Sequence, residues 1–212
     1  MWYTLTFLSH LTSPRLHGRL TPRILLAHFL GPLTSWLGNL LGALLVASLL
    51  SIGTGTITSS PYASGVNELI TSELMESSWG AILASAIGCG FSVTLAMYLG
   101  EVAHDTLGRA FGLWLPFAVS TALKWPHTVE YMYIGCLGLL GEKYGLRPDG
   151  YNLGTFIWKG MVPISLGNAI GGVIGMGGYL WLVHLWGLEK KKERMQWRSG
   201  RDQEDGEENY ED

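Results

Sequence analysis

The sequence predicts an all-α integral membrane protein with four full spans and part of a fifth. Three observations lead there. The chain has 212 residues, of which 48% are hydrophobic and 15% charged. About half of that charge sits in the tail at 189–212, "EKKKERMQWRSGRDQEDGEENYED", and the rest is too apolar for an ordinary soluble domain. Four stretches reach the roughly 20 apolar residues that a membrane helix needs. Lys and Arg are concentrated in alternate loops, as the positive-inside rule requires.

Residues 1–13 have no basic region before their apolar part, so they read as the last turns of a membrane helix rather than a signal peptide. The first full span is 25–51 and the second is 79–100. A third stretch at 110–140 and a fourth at 154–186 are each too long for one straight span. Each contains a proline, Pro126 and Pro163. Proline removes a backbone donor and clashes with the preceding turn, so it breaks or starts a helix. The expected pieces are therefore half-helices at 110–125 and 126–140, and a membrane part at 163–186 after an interfacial lead-in at 154–162. Arg15, Arg19 and Arg23 precede the first full span, Arg109 lies between the second and third, and Lys190, Lys191, Lys192 and Arg194 follow the last. The 52–78 loop has no Lys or Arg. This places the C-terminal tail in the cytoplasm and the 52–78 loop outside, and the expected membrane is the plasma membrane. The division is a membrane domain at 1–188 and a charged, disordered tail at 189–212.

The net charge of −3 implies no nucleic-acid partner. Cys89 and Cys136 both lie in apolar segments without a metal-type spacing or a disulfide framework. No nucleophile–base pair, phosphate loop or metal cluster points to an enzyme, and no cofactor is implied.

The chemistry-bearing candidates gather at the breaks. His127 follows Pro126 at the start of a half-helix, where free N–H groups and the helix dipole favour an anion. That field disfavours imidazolium, so the expectation is a neutral imidazole able to exchange a proton with a bound anion. A packed, hydrogen-bonded histidine is the plainer alternative, but an ionisable residue at a helix break within a bilayer points to function. Thr128 is the next residue along this path. Lys124 precedes the break and is expected to face inward. Lys159 precedes the membrane part of the last span, where it either attracts anions or snorkels to the headgroups.

Gly167, Gly171 and Gly175 form one stripe, and so do Gly38 and Gly42; such stripes let helices touch closely. Asn39 and Asn168 stand beside them, and each amide needs partners in a dry medium. They bind a neighbouring helix's backbone or point donors into a pore. Leu37-Gly38-Asn39 and Leu166-Gly167-Asn168 fall in spans expected to run in opposite directions, which suggests an inverted repeat of three spans each.

In order, "WLGNLLGALL", "AIGCG", "WPHTVEYM" and "VPISLGNAIGG" resemble the motifs of the third to sixth spans of the formate/nitrite transporter family. The resemblance covers about residues 1–186 and is that of an N-terminally truncated, fungal-like member. It implies an aquaporin-like fold with broken helices, assembled as a homopentamer with one pore per protomer. The implied substrates are formate, nitrite or related short monocarboxylates, with protons moving through a central histidine. By position His127 matches that histidine, Asn168 the asparagine of the sixth span, and Arg109 a lysine on the cytoplasmic side. The sequence departs from the family in several places. Pro126 replaces a glutamate, Tyr131 and Gly90 each replace an asparagine, and Ser120 replaces a bulky constriction residue. The family's first span and half of its second have no counterpart here. This raises the alternative of a non-transporting subunit in a mixed oligomer with full-length relatives. A neutral-solute channel is disfavoured by the lack of an Asn-Pro-Ala box.

Overall fold

The computed structural model describes residues 22–183 and residue 187. The fragment at 1–13, Arg15, Arg19 and the tail at 189–212 lie outside the described residues. Helix α1 spans Pro22–Leu45 and continues through a π-helical turn at Val46–Ile52. Helix α2 covers Tyr62–Ile70 and continues through another at Thr71–Met75. Then come α3 (Trp79–Val102), α4 (Thr106–Ala122) and α5 (Thr128–Leu140). The last helix, α6, runs over Leu153–Val183. No strand occurs among the described residues.

Three segments, Leu30–Ile52, Trp79–Val102 and Leu153–Val183, are long and apolar enough to cross a membrane, and Thr128–Leu140 is a shorter apolar helix. The expected third span is the broken pair α4–α5. Polar caps fix the helix starts, because the first turn leaves backbone donors free. Ser78 Oγ accepts from the Ala81 N–H at 3.2 Å, Asp105 Oδ1 from Gly108 at 2.7 Å and Asn152 Oδ1 from Thr155 at 3.1 Å.

The expected break at Pro126 is present, but it begins earlier. Lys124 has φ +53°. Its N–H donates to the Thr121 carbonyl at 3.0 Å, and the Trp125 N–H reaches back to Ser120 at 2.9 Å. This pair of bonds is the Schellman ending of a helix, where the left-handed residue is usually glycine. A lysine there costs about 1 kcal/mol. Pro126 then keeps the chain extended until α5 starts with His127 as its N-cap, at φ −97° and ψ 137°.

Two expectations fail here. Pro163 does not separate a lead-in from a membrane helix, for α6 is continuous through it. The turn before it is π-helical, Phe156–Met161. An i→i+5 turn re-spaces the backbone, so the proline ring and its missing donor are absorbed without a break. The 52–78 loop in turn contains a helix. Along α2, Ala63, Ile70 and Leu74 are buried, and this 3.6-period face seats the helix on the core beside α5.

The two Leu-Gly-Asn helices meet where Trp36 Nε1 donates to Ser165 Oγ at 3.0 Å, and Leu40, Ile157 and Met161 line one apolar cavity beside that bond. Their glycine stripes differ. A Cβ at Gly171 would collide with the Ile87 carbonyl of α3, whereas one at Gly38 or Gly42 would meet nothing within 4 Å. Close helix contact therefore accounts for the α6 stripe. It does not account for the α1 stripe among the described residues.

Candidate functional site

The break at 123–127 separates two cavities. The first, about 340 Å³, is lined by His127, Thr128, Asn39, Asn168, Ser165 and Gly90, among others. The second, about 260 Å³, lies toward the N-terminal end of α3 and is lined by Glu73, Lys124, Tyr131 and the serines Ser72, Ser77 and Ser85, among others.

Asn168 holds the break in place. Its Nδ2 donates to the Pro126 carbonyl at 2.9 Å and to the Ala86 carbonyl of α3 at 3.2 Å. Its Oδ1 accepts from the Thr128 N–H at 3.4 Å. One side chain thus satisfies two backbone groups at the start of α5 and ties them to α3, as an interruption at membrane depth needs. Both amide donors go to backbone, the first of the two expected uses. Asn39 faces the same cavity and makes no side-chain hydrogen bond among the described residues. His127 lines this cavity too, and its side chain does not cap α5.

Gly90 is where α3 crosses Asn168 most closely. A Cβ there would run into the Asn168 carbonyl. Where the resemblance expects an asparagine, this packing admits glycine only.

The remaining candidates are scattered. Ser120 is buried and donates to the Phe117 carbonyl of its own helix at 2.9 Å, so it lines neither cavity. Lys124 faces the second cavity, and its Nζ lies 4.0 Å from Glu73. Lys159 Nζ donates to the Met75 carbonyl at 2.6 Å. Arg109 is exposed in the first turn of α4, close to the far end of α3.

Two functional-looking acids escaped the sequence reading. The Tyr131 hydroxyl donates to Glu73, whose side chain is 15% exposed. Glu130 sits three residues after the His127 N-cap, the position from which a capping-box carboxylate faces the N-cap N–H. The available signal is a carboxylate in each of two segments, "ITSELM" and "HTVEYM", that otherwise carry little charge.

Apolar helices, one of them broken beside a cavity and pinned by a buried amide, define a multi-pass membrane protein of the channel and transporter class. A profile of the family described as "Formate/nitrite transporter" matches residues 8–182. The chain belongs to the formate/nitrite transporter family, which is a family of transporters and not of enzymes.

The chain is 28% identical over 166 residues to a "Probable formate transporter" of Methanothermobacter thermautotrophicus, covering 72% of this chain and 58% of that protein. It is 30% identical over 150 residues to a "Formate-nitrite transporter" of Entamoeba histolytica, covering 71% and 40%. It thus spans about half the length of these relatives. A solved structure described as "Pentameric formate channel with formate bound" superposes with a TM-score of 0.67 at 20% identity, covering 79% of this chain and 69% of that one. At that identity the likeness is one of fold.

Proposed function

We propose that this protein carries small monovalent anions, formate, nitrite or related short monocarboxylates, across a membrane, with a proton moving through His127. The observation that carries this reading is the first cavity, where His127 and the start of α5 meet the space pinned by Asn168. Free N–H groups and the dipole at the start of α5 stabilise an anion there. A bare charge in the bilayer interior costs ~3 kcal/mol on insertion scales. A proton passed from the imidazole, or from water, to the anion removes that cost, and the neutral acid crosses the narrow part. Thr128 and Ser165 line the same space and offer hydroxyl donors. Arg109 and Lys159, on different faces of the molecule, supply positive charge at either mouth. The plasma membrane, a cytoplasmic tail and a homopentamer complete the reading. The pentamer is supported by the fold shared with a pentameric formate channel.

A mixed oligomer with full-length relatives is the second reading. It is favoured by the α1 face that carries Leu37, Leu41 and Leu44, which is exposed and apolar, and by the α1 glycines that meet no neighbour.

The test is formate and nitrite uptake into vesicles holding the full chain, from acid to neutral pH. His127→Ala is expected to lose the pH-dependent part of uptake. An unchanged pH profile in that variant would sink the histidine's role. Flux that appears only when a full-length relative is co-reconstituted would select the mixed oligomer.

A further inference from the structure

The second cavity holds a charge arrangement that the His127 pathway does not use. Lys124 stands at its rim, on the break, with an exposed side chain, and the largely buried Glu73 enters it from α2, 4.0 Å from Lys124 Nζ. Tyr131, on the first turns of α5, donates its hydroxyl to the same carboxylate. Three serines make up much of the remaining polar wall. Lys124 holds its place in left-handed backbone at φ +53°, a conformation that other side chains avoid. An ionised Glu73 has two consequences. It occupies the ammonium that an entering anion would need, and it repels that anion.

We propose that this cavity is a proton–anion co-binding site, in which a small carboxylate such as formate replaces Glu73 as the counter-ion of Lys124 when Glu73 takes up a proton. This deepens the anion-transport reading and rests on it. The step balances. Before it, one ammonium faces one carboxylate. After it, the ammonium faces the bound anion, and the proton from solvent sits on a Glu73 oxygen. The cavity has gained one neutral acid and no net charge. Tyr131, no longer tied to a carboxylate, is free to donate to the guest.

The surroundings favour the exchange. Burial raises the Glu73 carboxyl above its ordinary range, Lys124 pulls it down, and the negative charge of Glu130 on α5 pushes it up again. Lys159, from α6, is engaged by the Met75 carbonyl, and Glu76 follows α2 at its end. His127 opens to the other cavity. The sign follows from linkage: a proton and an anion that enter together each tighten the other, so formate binds more strongly as pH falls.

The experiment is calorimetric titration of sodium formate into the full chain in lipid nanodiscs, across a series of pH values from 5 to 8. The native chain is expected to lose affinity by up to roughly tenfold per pH unit over the range where Glu73 is ionised. Glu73→Gln is expected to bind formate with the same affinity throughout. Lys124→Gly keeps the left-handed turn, deletes the ammonium, and is expected to bind weakly at every pH. A native affinity that does not change with pH, or a Glu73→Gln variant that keeps the native slope, overturns the proposal. Absence of formate flux in vesicles, with the binding slope intact, would instead count against the transport reading alone.

Discussion

Leu37-Gly38-Asn39 and Leu166-Gly167-Asn168 are the same three residues in two helices, and the molecule uses them differently. On α6 the glycine stripe is pressed into α3, and Asn168 spends its amide on three backbone groups, two at the start of α5 and one on α3. On α1 the stripe meets nothing among the described residues, and Asn39 faces the cavity without a side-chain partner there. One motif thus serves as an internal clamp in one helix and as an open face in the other. Sequence identity between segments fixes their shape, and what each packs against decides their role.

The contrast can be broken by substitution. The largest effect is expected at Gly171, where a methyl group would meet the Ile87 carbonyl. Backbone cannot rotate away as a side chain can, so Gly171→Ala is expected to cost about 3 kcal/mol or more in thermal unfolding in detergent. Asn168→Ala comes next. It leaves the Pro126 carbonyl and the Thr128 N–H unpaired at the break, a loss of about 2–4 kcal/mol; Asn39→Ala, measured the same way, is expected to change stability by less than about 0.5 kcal/mol. Equal losses at the two asparagines would erase the distinction between clamp and open face. The smallest effect is expected at Gly38. In an unpacked helix position, alanine is favoured over glycine by about 0.5–1 kcal/mol, so Gly38→Ala should raise the melting temperature of the isolated chain slightly. A drop in oligomer size in the same variant, measured by light scattering, would show that this face is covered by another subunit.

Much of the fold was legible because membrane helices announce themselves by length and apolarity. The spans expected at 25–51 and 79–100 lie within helices that continue to Ile52 and Val102, and the break at Pro126 is where proline chemistry requires one. The helix at 62–75 was not legible. It is short and polar, and tertiary burial of Ile70 and Leu74, more than local preference, sustains it. Pro163 misled because the rule for proline assumes an α-helical turn before it, and here that turn is π-helical. At the site, His127, Thr128 and Asn168 line one cavity, while Ser120 does not join them. Glu73 and Tyr131 are far apart in sequence, and no local pattern marks their meeting. Lys124 could be read as a charge, but its left-handed backbone appears only in three dimensions.

The π-helical turn at Phe156–Met161 also sets the rotational phase of everything after it. Such a turn lodges one more residue than an α-turn does, and one residue is worth about 100° around a helix axis. Asn168 and Gly167, the first glycine of the stripe, lie downstream of it, ahead of a second π-helical stretch at Ile170–Gly177. Their aim therefore depends on the count of residues in a turn that contains neither. A family alignment made by identity alone would treat a single deletion there as a neutral gap, whereas in space it is a quarter-turn of the cavity wall.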